Sequence, residues 1–106
     1  MTAINQELFK QLSRESSKPV LVEFWAPWCV YCRRITPALQ RVSEQYQDSL
    51  VVGQVNIDEE PELAHAERIE VVPTLILYHK GEALGSIVAP ESKARIDEFL
   101  HHNLEM

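Results

Sequence analysis

No stretch of this chain approaches the ~18–20 consecutive apolar residues needed to cross a bilayer. An excess of positive charge is also missing. Ten Lys and Arg stand against sixteen Asp and Glu, for a net charge of −6, and Arg33-Arg34 is the only adjacent pair of Lys or Arg. That balance argues against an electrostatic grip on nucleic acid or anionic lipid. Repeats, linkers and low-complexity tracts are absent, and 106 residues leave room for one domain only. The segment Met1 to Glu7 has no basic start, apolar run or cleavage signal, so the expected location is the cytosol. There are only two cysteines, and a lone pair in that compartment is more often catalytic or metal-binding than structural. Zinc would need two further ligands, and His65, His79, His101 and His102 lack the usual paired spacing. What remains is an ordinary globular composition, 45% hydrophobic and 25% charged, long enough to bury a core without staples.

The two cysteines are Cys29 and Cys32, in the run Phe24-Trp25-Ala26-Pro27-Trp28-Cys29-Val30-Tyr31-Cys32. They follow Val20-Leu21-Val22-Glu23-Phe24, which reads as a buried strand, and they open a helical segment. Residues i and i+3 on a helix have Cβ atoms roughly 5–6 Å apart, and a disulfide accepts Cα separations of about 4.4–6.8 Å. The pair can therefore open and close with little backbone movement. Unpaired backbone N–H groups and the positive end of the helix dipole favour an anion at the first cysteine, which eases thiolate formation. Redox chemistry is the reading these features support over a small buried hydrophobic pair.

The rest of the chain divides into short elements. Ile4, Leu8, Phe9 and Leu12 share one face of a helix over residues 4–12. Residues 20–26 form a strand, and residues 32–46 a helix with Ile35, Leu39, Val42 and Tyr46 as its buried stripe. Pro37 falls inside that helix and is expected to kink it. Residues 50–57 form a second core strand, and residues 61–68 a short helix opened by the acidic run Asp58-Glu59-Glu60. Strands at 74–79 and 83–88 flank a Lys80-Gly81 turn. A helix over 91–104 closes the chain, with Ile96, Phe99, Leu100 and Leu104 inward. The order αβαβαββα implies a mixed sheet with helices on both faces.

These residues resemble the thioredoxin family along nearly the whole chain. The resemblance rests on Val22-Glu23-Phe24-Trp25-Ala26-Pro27-Trp28-Cys29-x-x-Cys32, Pro37 five residues on, and Val55-Asn56-Ile57-Asp58. Val72-Pro73-Thr74 before a strand, Lys80-Gly81-Glu82 and the amphipathic C-terminal helix complete it. It implies an α/β thioredoxin fold, a central mixed β-sheet flanked by helices on both faces. It also implies Cys29 as nucleophile, Cys32 as the more buried resolving thiol, and a cis peptide before Pro73 that leaves the Val72 backbone free to pair with an extended client. The implied reaction is thiol–disulfide exchange on client proteins, without metal or organic cofactor. A flavin-containing thioredoxin reductase or similar donor would supply the electrons, and the protein would act as a monomer.

Glu23 lies in an otherwise apolar strand, where a carboxylate is costly and tends to stay protonated. By resemblance it accepts the Cys32 proton through water; the bland alternative is a solvent-facing edge glutamate. Relatives pair this carboxylate with a basic residue, but here Gln54 stands in that place and cannot neutralise charge. A pKa above that of the relatives is therefore expected for Glu23. Trp28 is expected to cover one rim of the site, and Arg33 and Arg34 to form a solvated helix face.

The chain departs from the family in two places. The intervening dipeptide Val30-Tyr31 replaces the Gly-Pro of reducing thioredoxins and the Gly-His of isomerase domains. Neither the imidazole of strong oxidants nor the proline of strong reductants is present, which leaves the direction of electron flow open. Ala89 stands where a glycine is usual. Ala89-Pro90 is expected to narrow the client groove, with Tyr31 adding an aromatic edge, so the client range and reductase recognition should differ from those of general thioredoxins. The leading expectation is a protein-disulfide reductase. The alternatives are a disulfide oxidase or isomerase, and a binding module whose redox chemistry is incidental; Tyr31-Cys32 alone hints at a glutaredoxin-like role.

Overall fold

The apolar run at 20–25 becomes the centre of a five-stranded sheet because it can be covered on both sides. Val20, Leu21, Val22 and Phe24 are all essentially without solvent contact. The computed structural model describes residues 1–105. Its elements are β1 (Thr2–Ala3), α1 (Gln6–Glu15), β2 (Val20–Trp25), α2 (Val30–Gln45), β3 (Val51–Asn56), α3 (Pro61–Ala66), β4 (Thr74–His79), β5 (Glu82–Val88) and α4 (Lys93–Leu104). The strand order is β1-β3-β2-β4-β5. The first three strands in that list run parallel, and β4 is antiparallel to both β2 and β5.

Side chains along a strand alternate between faces, and the two cores follow that alternation. Leu21, Val52, Leu75 and Leu77 pack with Ile35, Leu39 and Val42 of α2 and Ile96, Phe99 and Leu100 of α4. Val20, Val22, Phe24, Val55 and Ile76 pack on the other face with Phe9 of α1 and Leu63 of α3. The expected mixed sheet with helices on both faces is therefore observed. Glu23 shares the Leu21 face by the same alternation, which turns it towards the side covered by α2. Its register neighbours are Gln54 on β3 and Leu75 on β4.

Several boundaries differ from the sequence expectation. Strand β1 is an addition, pairing Thr2 with Gly53 and Ala3 with Gln54 at the sheet edge. Helix α1 starts at Gln6, because the Asn5 side chain accepts a hydrogen bond from the Leu8 N–H at 2.8 Å and caps it. Ile4 is drawn instead to β3, its N–H bonded to the Gln54 carbonyl at 2.8 Å. Helix α2 begins at Val30, two residues earlier than expected, and runs through Pro37 to Gln45. Helix α3 stops at Ala66, and Arg68 beyond it has φ of 59°. The β4–β5 turn is as expected: Lys80 and Gly81 both adopt positive φ, the combination a two-residue hairpin favours.

Helix α4 starts two residues later than expected, at Lys93, where the Ser92 hydroxyl accepts a bond from the Arg95 N–H at 3.1 Å. Ser92→Ala removes that cap and should destabilise the protein by about 1 kcal/mol. Urea unfolding at constant pH checks this, and an unchanged midpoint would refute it.

Candidate active site

The site forms where β2 ends and α2 begins. Cys29 is the N-cap of α2, and its sulfur accepts a hydrogen bond from the Cys32 N–H at 3.1 Å. The two sulfurs are joined in a disulfide with Cα atoms 5.3 Å apart. Cys29 retains 7% of its surface and Cys32 only 2%, so the first cysteine is the one a client sulfur can approach more readily. The peptide bond between Val72 and Pro73 is cis, as the resemblance implied. The Val72 carbonyl oxygen lies 3.8 Å from Cys29 Sγ. Ala26 and the two cysteines form a small apolar cluster against Trp25, Tyr31, Ile57 and Val72.

Glu23 is 1% exposed, which excludes the solvent-facing reading. The Gln54 side-chain amide donates to Glu23 Oε1 at 2.8 Å, while Oε2 has no hydrogen-bond partner. Burial pushes the carboxyl pKa up, and the bond from Gln54 pulls more weakly the other way. A neutral amide therefore occupies the place expected of a basic partner, and the charged form of Glu23 is left poorly compensated. Among the described residues, no group of three or more His, Cys, Asp or Glu is placed to hold a metal ion.

The family profile for thioredoxin matches residues 1–102. Thioredoxin 1 of Synechococcus elongatus is 38% identical over 102 residues, covering 96% of this chain and 95% of that one. The thioredoxin of Acidithiobacillus ferridurans is 39% identical over 101 residues, covering 95% and 94%. The M-type chloroplastic thioredoxin of Chlamydomonas reinhardtii is 39% identical over 94 residues, covering 89% and 67%. The chain belongs to the thioredoxin family. With its cysteine pair closed into a disulfide at a helix start, it is a thiol–disulfide oxidoreductase of that family.

Around this thioredoxin-family disulfide, the remaining candidate residues take distinct positions. Trp28 is 64% exposed beside Cys29, held by a bond from its indole Nε1–H to Asp58 Oδ1 at 3.3 Å. Val30 is also exposed. Tyr31 is half-buried, and its hydroxyl donates to the Pro90 carbonyl at 3.2 Å. Ala89 has φ of 45°, a left-handed conformation that costs a non-glycine residue about 1–2 kcal/mol. Its N–H donates to the Pro73 carbonyl at 2.9 Å, which ties the end of β5 to the cis turn. Arg33 and Arg34 lie on the exposed face of α2, and Arg33 Nη1 donates to the Pro27 carbonyl at 2.8 Å.

The sequence reading named Asp58 in the family motif and Pro90 beside the client groove, but missed the bonds they make to Trp28 and Tyr31. The acidic run 58–60 was expected to serve the start of α3, yet Glu60 makes no side-chain cap there. Asp58 accepts from Trp28 instead, and Glu60 Oε1 accepts from the Gln6 N–H at 2.9 Å. Asp58 was visible as the end of the Val55-Asn56-Ile57-Asp58 motif and as part of the acidic run, with nothing in either to link it to Trp28. Pro90 contributes a backbone oxygen, which leaves no mark on residue type.

Proposed function

We propose that this protein reduces disulfides in client proteins, with Cys29 as nucleophile, Cys32 as resolving thiol and Glu23 as proton acceptor. The observation that carries the reading is the N-cap position of Cys29, where a backbone N–H already points at its sulfur and would stabilise a thiolate. The reduced Cys29 thiolate attacks one sulfur of a client disulfide. A Cys29–client bond forms, the client disulfide breaks, and the departing client sulfur leaves as a thiolate. Cys32 then loses its proton towards Glu23 through water and attacks Cys29, which releases the second client thiolate. Two electrons have passed to the client, and the protein is left as the Cys29–Cys32 disulfide.

Clients would lie along Trp28, Val30, Tyr31, Val72, Pro73 and Ala89, with the Val72 backbone offering strand-like pairing to an extended segment. Thioredoxins in general act on disulfide substrates and are re-reduced by thioredoxin reductase. A flavin-containing reductase or similar donor fills that place here, and the protein works as a single-domain monomer in the cytosol. No helix among the described residues is long and apolar enough to cross a membrane.

The reduction potential of the couple tests the direction of flow, measured by equilibration in thiol redox buffers and trapping of free thiols. A value near ~−270 mV is expected for an electron donor to clients. A value of ~−180 to −120 mV would overturn the reductase reading in favour of an isomerase or oxidase.

A further inference from the structure

Tyr31 sits between the two cysteines, yet its hydroxyl is bonded to the carbonyl of Pro90, fifty-nine residues away. Its ring packs against both the disulfide cluster and the larger core between α2, α4 and the sheet. Pro90 is buried, and the neighbouring Ala89 is itself bonded to the Pro73 carbonyl. The first turn of α2, the 89–90 turn and the 72–73 turn thus form a closed ring of contacts beside the disulfide. The Tyr31 phenol is the member that spans its widest gap in sequence.

This bridge occupies one flank of the site only. Trp28 is anchored to Asp58, just past β3, whereas Tyr31 is anchored to Pro90, just past β5. In the sheet, β3 and β5 lie on opposite sides of the central β2–β4 pair. Trp28 is largely exposed, whereas the Tyr31 ring is half-buried and tethered. A bulky client side chain entering on the β5 flank would have to displace the phenol and leave the carbonyl of Pro90 without the Tyr31 bond. Rejection therefore combines a clash with a lost hydrogen bond.

We propose that Tyr31, bridged to Pro90, is a specificity-determining residue that admits disulfides flanked by small side chains and rejects those flanked by bulky ones. The inference rests on the disulfide-exchange reading and adds which clients that chemistry selects. Two disulfide-cyclised peptides provide the test, one with glycine and one with leucine on both sides of each cysteine. Their reduction is followed with the wild-type protein, Tyr31→Phe and Tyr31→Ala, using dithiothreitol as the electron source. The same couple attacks both peptides, so a change in thiolate reactivity alters both rates together and cancels in the ratio of kcat/KM values.

The wild-type protein is expected to prefer the glycine peptide. Tyr31→Ala should shrink that preference about tenfold, mainly by lowering KM for the leucine peptide. Tyr31→Phe should fall between, because the ring remains and the tether is lost. An identical ratio in all three proteins would overturn the proposal, as would a selective loss of leucine-peptide turnover in Tyr31→Ala. Turnover with an unchanged ratio defeats the selectivity alone. If the wild-type protein reduces neither peptide, the exchange reading fails and the selectivity falls with it.

Discussion

Cys29→Ser should abolish disulfide reduction, and Cys32→Ser should stop it half-way. Serine at position 29 offers a hydroxyl that stays protonated at neutral pH and cannot attack a disulfide sulfur. Turnover should fall on the order of a thousandfold or more. Serine at position 32 leaves the Cys29 attack intact and removes the second one. The client should then accumulate in covalent linkage to Cys29, visible as a conjugate on non-reducing electrophoresis and in intact mass.

The asymmetry follows from where the two sulfurs lie. Cys29 is the more exposed, caps α2 and receives the Cys32 N–H, while Cys32 is buried one turn further in. Both variants should fold, because the two apolar cores on either side of the sheet are built without either cysteine. A conjugate that forms through Cys32 in the Cys29→Ser protein would reverse the roles. Full activity in both variants would remove the exchange mechanism.

What was legible in the sequence was what repeats locally. Strand β2 and the α2 stripe announce themselves through runs and periods of a few residues, and the cysteine spacing lies within one helical turn. The cis bond before Pro73 was reached through the family resemblance, since a proline at a strand start is equally compatible with trans. Strand β1 was not legible, because two residues carry no alternation and Thr2–Ala3 exists only through its pairing with β3. The start of α1 was written in Asn5, a preferred capping residue, but the apolar period beginning at Ile4 masked it.

The polar ties between distant elements were the least visible. Tyr46 was legible only as part of the buried α2 stripe and Tyr78 only as a strand residue, yet the Tyr46 hydroxyl donates to Asp97 at 2.8 Å and that of Tyr78 to Glu67 at 2.7 Å. Tyr31 with Pro90 and Trp28 with Asp58 belong to the same class. Each depends on two segments meeting after the sheet is assembled, so residue type and spacing cannot supply it. At the site the reacting sulfurs and the Glu23–Gln54 pairing were readable, while the ties of Trp28 to Asp58 and of Tyr31 to Pro90 were not.

Glu23→Gln should slow the release of reduced client about a hundredfold at neutral pH, the low end of what a positioned proton acceptor contributes. Glutamine keeps an oxygen to accept the bond from Gln54 and loses only the ability to take a proton. The first attack by Cys29 should keep its rate, so the mixed disulfide should build up transiently in rapid-mixing experiments. The defect should shrink as pH rises towards the ordinary thiol pKa of about 8.5, where Cys32 can lose its proton to solvent. The same substitution should change how stability varies with pH. Because burial raises the Glu23 pKa above 4.5, the folded protein holds this proton more tightly than the unfolded chain does. Its contribution to stability is therefore full below pH 4.5 and is lost as pH rises through the folded-state value. The wild-type protein should lose stability over that rise, and Glu23→Gln should lose less. Parallel stability curves would show that ionisation of Glu23 is not what burial penalises. An unchanged rate of client release would leave Glu23 as a buried strand residue with no part in moving the Cys32 proton.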